Sequence, residues 1–122
     1  MKILLLGHKG MLGHMTLKYL KTKNLDIETT DLRWPSDEFK ECIKNFDGDY
    51  IINCIGAIHQ RTNSFDVNWE LPIFLDFYSL SRIIHPGTDC EMDSDNYGIS
   101  KKIARDFIVN TSSKTKSIKT SI

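Results

Sequence analysis

Two groups of residues in this chain have types and spacings suited to chemistry. The first is Gly7-x-x-Gly10-x-x-Gly13, followed by an acid, Asp31, eighteen residues beyond the last glycine. Glycine accepts positive φ, so Gly7 suits a sharp turn out of a strand. The missing side chain at Gly10 would let a phosphate reach the main chain. Gly13 would let a helix pack closely on the strand. The free N–H groups and the positive end of that helix, at Met11 and Leu12, would face the anion. An acid about 20 residues on is the spacing for a hydroxyl pair on an adenosine ribose. The spacing here is G-x-x-G-x-x-G rather than G-x-G-x-x-G. The bland alternative is an ordinary strand-to-helix turn that happens to hold three glycines. The surrounding strand, helix and acid favour dinucleotide binding.

The second group is Thr88, Tyr97 and Lys101. Tyr97 and Lys101 lie four apart, on one face of a helix. An ammonium nearby favours the phenolate and lowers a tyrosine pKa from its usual value of about 10. Such a phenol can pass a proton to a carbonyl oxygen while a hydride arrives from a nicotinamide. Thr88 could hydrogen-bond the same oxygen, and Lys101 could also hold the nicotinamide ribose. Spacing alone is a weak argument, because Tyr19 and Lys23 repeat it on the first helix. Tyr19 lies far from the expected site and reads as a packing residue.

The elements that would position these groups follow from periodicity. Ile3 to Leu6 is a buried strand that runs straight into Gly7. A helix should span Met11 to Lys21, and a second strand Leu25 to Thr30. Pro35 suits the first turn of a second helix, with Ser36, Asp37 and Glu38 as helix-start residues. Phe39, Cys42, Ile43 and Phe46 recur at helical spacing, and Asp47-Gly48-Asp49 stops the helix. Tyr50 to Ile55 reads as a strand buried on both faces, broken only by Asn53. Gly56 and the polar stretch His59 to Ser64 then form a loop at its carboxyl end, where open α/β sheets bind ligands.

A third helix should cover Phe65 to Ser79, kinked or split at Pro72. Arg82 to His85 reads as a short fourth strand ended by Pro86-Gly87. An acidic stretch, Thr88 to Asn96, leads into a fourth helix over Tyr97 to Val109. Ser117 to Ile122 reads as a fifth strand. This alternation predicts an α/β fold. Its sheet should be doubly wound and parallel, with about five strands, helices on both faces and the strand order 3-2-1-4-5.

Composition narrows the function classes. The 122 residues suffice for one domain with one core. Lys plus Arg and Asp plus Glu number sixteen each, which gives no electrostatic reason to expect nucleic acid or an anionic membrane as partner. The longest apolar runs are about four residues, so no spanning segment and no signal-peptide core is expected. Cys42, Cys54 and Cys90 form no C-x-x-C pair and suit a reduced, cytoplasmic setting. His8, His14, His59 and His85 lack metal-ligand spacing, so no metal site is expected. Trp34 and Trp69 read as packing residues. Lys9 is as readily a solvated loop lysine as a phosphate contact. Arg33 could hold a 2′-phosphate that Asp31 would repel, which leaves NAD and NADP both open. No Gly-Lys-Ser/Thr follows the glycines, so a P-loop is a poor reading.

The chain resembles the extended short-chain dehydrogenase/reductases, and among them the dTDP-4-dehydrorhamnose reductase-like enzymes of sugar nucleotides. The likeness rests on Gly7, Gly10 and Gly13; on Asp49 to Gly56, with its strand ending in Asn53; and on Asn68 with Pro72. It continues through Gly87-Thr88-Asp89-Cys90 and the Tyr97–Lys101 pair, all in the family's order. Gly87 stands where the family usually has serine, and only eight residues separate Thr88 from Tyr97.

The resemblance implies a Rossmann-like domain over residues 1–122 that binds NAD or NADP. Gly7, Gly10, Met11, Leu12, Gly13, Asp31, Arg33, Asn53, Gly56, Tyr97 and Lys101 would lie at the cofactor. It implies Thr88, Tyr97 and Lys101 as the catalytic set, acting on a keto group of a nucleotide-linked sugar in polysaccharide biosynthesis. It leaves room for a homodimer. The family's C-terminal substrate-binding portion has no counterpart, so the chain reads as a fragment or truncated form. The alternative function is a non-catalytic dinucleotide-binding module that regulates or scaffolds a partner.

Overall fold

The computed structural model describes residues 1–55, 66–88 and 115–120, with the backbone path alone for 86–88 and 115–120. Five strands are described: β1 (Lys2–Leu6), β2 (Asp26–Thr29), β3 (Tyr50–Asn53), β4 (Arg82–Thr88) and β5 (Thr115–Thr120). Three helices are described: α1 (Met11–Leu20), α2 (Asp37–Asn45) and α3 (Val67–Tyr78). Every strand pair is parallel, so the doubly wound α/β expectation stands. The order is β2-β1-β3-β4-β5, not the expected 3-2-1-4-5.

Strand composition explains the difference. β2 carries Asp26 and Glu28 and leaves most of its residues exposed, which suits an edge. β3 is Tyr-Ile-Ile-Asn, with Ile51 fully buried, which suits an interior place. β3 therefore crosses back over β1 and pairs with its free side, Leu4 beside Ile51 and Leu6 beside Asn53.

This path places the helices. β1 to β2 steps one way across the sheet, and β2 to β3 steps the other. Right-handed crossovers then put α1 on one face and α2 on the opposite face, and α3 joins α2. Leu4 and Leu6 of β1 point toward α2 and α3. There they join Ile51, Ile83, Phe39, Ile43, Phe46, Leu71 and Leu75 in one core. Ile3 and Leu5 alternate to the α1 face, and Leu5 is wholly buried.

Local signals set most helix ends. Ser36 caps α2, its Oγ accepting the Phe39 N–H at 3.2 Å. Asp37 and Glu38 sit in the first turn and Lys44 in the last, matching the helix dipole. Pro35 thus lies just outside α2 rather than in its first turn. Pro72 is buried inside α3, which runs through it without a break. β4 also runs through Pro86 and Gly87, where a stop was expected. Its β3 pairing ends at Ile84, and the rest of β4 is held by β5, in register from Ile83–Thr115 to Thr88–Thr120. A residue lacking an N–H is tolerated where a strand has a neighbour on one side only. β5 itself begins two residues earlier than expected.

Trp34 packs as expected, edge-on to Phe39 and 5.2 Å from Phe74. Tyr19 does not: it is 62% exposed, with the Lys23 ammonium 5.0 Å from its ring. The expected fourth helix and the loop from Gly56 to Ser64 lie outside the described residues.

The core assignment is directly testable. Leu5→Ala should lower the unfolding free energy by about 2–5 kcal/mol in urea titrations followed by circular dichroism. Met15→Ala, at an exposed position on α1, should change it by no more than about 0.5 kcal/mol.

Candidate functional site

In open α/β sheets, ligands bind beyond the carboxyl ends of the strands, where the chain path reverses direction across the sheet. Here that point is between β1 and β3. The carboxyl end of β1 leads into the glycine turn, and the carboxyl end of β3 is Asn53.

The three glycines have different physical reasons to be glycine. Gly7 has φ +80°, and a Cβ there would lie 2.8 Å from the Cys54 carbonyl and the Ile55 nitrogen. The turn leaving β1 is thus pressed against the backbone leaving β3, and the Cys54 N–H donates to the Leu6 carbonyl at 2.9 Å. A Cβ on Gly13 would collide with the Gly7 carbonyl, so Gly13 is needed to seat α1 against the turn. Gly10 differs from both. Its φ is −79°, which any residue adopts, and among the described residues a Cβ there would meet only the Gly7 carbonyl, at an ordinary 3.5 Å. Packing within the described residues does not require a glycine at position 10.

Gly10 is also the N-cap of α1, and it offers no side-chain cap. The first turn contains no acid. The N–H groups of Met11 and Leu12 therefore open a helix whose positive end faces the site without a competing side chain. An anion can take that place, and the missing Cβ at Gly10 leaves room for it. These features fit a pyrophosphate group.

Asp31 stands two residues past the end of β2, at the same edge of the sheet. The Lys9 ammonium lies 3.0 Å from its Oδ1, and His8 Nε2 lies 3.6 Å from the same oxygen. The hydrogen bond and charge of Lys9 hold the Asp31 carboxyl below the usual aspartate range, with a smaller contribution from His8. Lys9 is therefore a partner of Asp31, a role that the sequence reading missed. The sequence did contain the clue. β1 and β2 are parallel and in register, Leu5 beside Thr29, so the residues just beyond their ends meet. Arg33 is exposed, two residues past Asp31.

Asn53 is 1% exposed, and its side chain is used inside the protein. Its Oδ1 accepts the Ile55 N–H at 3.1 Å, and its Nδ2 lies 3.5 Å from His85 Nδ1. Asn53 thus shapes the turn that abuts Gly7, and the buried His85 supports it. The register could have shown this pair, because Ile52 sits beside Ile84 and the next residues are Asn53 and His85. Thr88 is the last residue of β4, at the carboxyl edge that also carries the glycine turn. Gly56, Tyr97 and Lys101 lie outside the described residues.

Other groups are less suited to chemistry. Burial, and then the charge of Glu28, push the Cys42 thiol up, away from the thiolate that a nucleophile needs. A cleft of about 580 Å³ beside the β2 edge is lined by Glu28, Cys42 and Phe46 among others, and by no residue of the glycine turn. Among the described residues, no cluster suits a metal ion, and no helix is long and apolar enough to cross a membrane.

Comparison with solved structures bears on this geometry. A UDP-rhamnose synthase from Acanthamoeba polyphaga mimivirus superposes with a TM-score of 0.78 at 18% identity, over 99% of this chain and 56% of that one. A dTDP-4-dehydrorhamnose reductase from Clostridium acetobutylicum gives 0.71 at 24% identity, over 99% and 53%. A dTDP-4-dehydrorhamnose reductase from Bacillus anthracis, in complex with NADP, gives 0.76 at 17% identity, over 98% and 53%. The chain shares their fold. It spans about half the length of these enzymes. No protein-family model matches the sequence, and no curated protein matches it.

The Asp31 pairing predicts a pH response. A carboxyl whose folded pKa is depressed keeps its ion pair above its unfolded value and loses it as pH falls through the folded value. An NMR titration should therefore place the Asp31 midpoint below that of an ordinary aspartate. In Lys9→Met the midpoint should rise back toward it.

Proposed function

We propose that this chain is the cofactor-binding part of an NAD(P)-dependent short-chain dehydrogenase/reductase. Its reaction would be reduction of a keto group on a nucleotide-linked sugar, as in the dTDP-4-dehydrorhamnose reductases. The observation that carries the cofactor reading is Gly10. Gly7 and Gly13 are explained by contacts within the chain, whereas none of the described residues requires a glycine at position 10, which opens an uncapped helix at the sheet's switch point. The sugar-nucleotide reading is supported by the shared fold, by the order of the sequence motifs and by Thr88 at the carboxyl end of β4.

Each residue then has a role. Met11 and Leu12 offer main-chain N–H groups to the pyrophosphate, while Gly10 gives it access. Asp31 and Arg33 stand where the adenosine ribose would lie. Gly7, Gly13 and Asn53 hold the shape of the turn, and Gly56 would lie at the cofactor. The bound nicotinamide would supply the hydride. Tyr97 would donate the proton to the carbonyl oxygen, Thr88 would hydrogen-bond that oxygen, and Lys101 would support the phenol by its charge.

Calorimetric titration with NADH and NADPH tests the cofactor reading. The folded chain should bind at least one of them. Gly10→Ala should abolish that binding while changing stability by no more than about 1 kcal/mol. Gly13→Ala should instead destabilise the fold, by about 1–3 kcal/mol or more. Failure of a folded chain to bind either cofactor would sink the proposal. With a nucleotide-linked keto sugar as substrate, Tyr97→Phe should cost about 10²–10⁴-fold in turnover. Cofactor binding without any carbonyl reduction would instead favour the non-catalytic binding module.

A further inference from the structure

We propose that the outer edge of β2 and the cleft beside it form a docking site for an extended, cationic peptide segment of a partner protein, taken up as an added strand. This inference goes beyond the cofactor reading and does not depend on it, because no residue of the glycine turn lines that cleft.

The main chain supplies the first half of the site. β2 is the last strand on its side of the sheet, and among the described residues no strand pairs with its outer edge. The Asp26 N–H donates to the Met1 carbonyl at 3.1 Å, so Asp26 turns its main-chain groups toward β1. Main-chain groups alternate sides along a strand, so Glu28 does the same. Those of Ile27 and Thr29 therefore point outward. A new strand about 4.8 Å beyond β2 can pair with them.

The cleft supplies the second half. Leu4 and Glu28 are register partners, so they share the sheet face on which α2 packs. On that face the cleft opens beside the β2 edge. Leu4, Cys42 and Phe46 give it an apolar floor, and the exposed Glu28, Asn45 and Asp47 give it a polar rim. Alternate side chains of an added strand would face it. One apolar side chain would reach the floor, and the side chains two residues to either side would lie at the rim.

Charge selects the partner. Glu38 and Glu41 lie on the same side of α2 as Cys42 and Asn45, by their three- and four-residue spacing. The lysines of α2 are engaged elsewhere, Lys40 lying 5.5 Å from the Trp34 ring and Lys44 5.1 Å from the Tyr78 ring. Lys2 is the cation in the lining, and it already lies 3.7 Å from both Glu28 and Asp47. The acids around the cleft outnumber it. A lysine or arginine on each side of the anchored apolar residue would complement them.

Fluorescence anisotropy with the 122-residue chain tests this, with circular dichroism as the check on folding. The probe is a fluorescein-labelled peptide, Thr-Lys-Thr-Leu-Thr-Lys-Thr. The folded chain should bind it saturably, and should not bind the same peptide with glutamate in place of lysine. Glu28→Lys should weaken binding about tenfold, one surface attraction being lost and one repulsion gained. Thr29→Pro removes an outward N–H, which an edge strand tolerates, and should abolish binding. A probe methylated at every backbone nitrogen keeps its charge but has no N–H to donate. It should not bind, and it tests strand pairing even where Thr29→Pro fails to fold. No binding by a folded chain, binding unmoved by Glu28→Lys, or equal binding of the methylated probe would overturn the proposal. So would a dimer in sedimentation that Thr29→Pro returns to monomer, since a second copy would then hold the edge.

Discussion

The structure depends on one close approach of main chain to main chain. The turn at Gly7 lies against the backbone of Cys54 and Ile55, and α1 lies against that turn through Gly13. The turn, the helix that follows it and the exit of a strand more than forty residues away meet with no side chain between them. Close packing leaves little tolerance for added atoms at such a place. The contact fixes where α1 starts, how it points and how far the β3 exit stands from it. The open ground in front of Gly10 follows from that arrangement.

The aromatic layer on the opposite face ties the acid to the core. Trp34 contacts Phe39 of α2 and Phe74 of α3, with the Lys40 ammonium 5.5 Å from its ring. Asp31 and Arg33 are within three residues of that anchor. The segment after β2 is therefore held at one end by the sheet and at the other by a packed indole. Its polar side chains are exposed, yet their backbone is confined. Such an arrangement can place charges reproducibly at a surface.

Much of this was legible from residue type and local spacing. Ile3 to Leu6, the glycine turn, the span of α1 and the Phe39–Ile43 face of α2 all rest on neighbours in sequence. What escaped depended on partners far along the chain. The position of β2 at the edge is decided by competition between β2 and β3 for β1, and Asp26 with Glu28 was the only hint. Pro86 looked like a terminator until β5 held the strand on beyond it. Lys9 read equally as a solvated loop lysine or a phosphate contact, and its pairing with Asp31 was hidden because that acid follows a different strand. Asn53 read as a residue near the cofactor, and its partner His85 on the neighbouring strand could not be seen from local spacing. The glycines show the same division. Their spacing was plain, but only the surroundings separate the two that packing demands from the one that it does not.

The short, charged β2 also matters for solubility. A sheet edge offers unpaired N–H and C=O groups to any passing strand, and long apolar edges invite chains to stack. β2 has four residues, and two of them are acids that would face like charges in an edge-to-edge pairing of two copies in register. The central strands, Ile-Leu-Leu-Leu and Tyr-Ile-Ile, are far stickier sequences, and they are enclosed between neighbours. The crossing that puts β3 beside β1 therefore leaves the least adhesive strand at that border, a guard against aggregation for a chain whose formal net charge is zero.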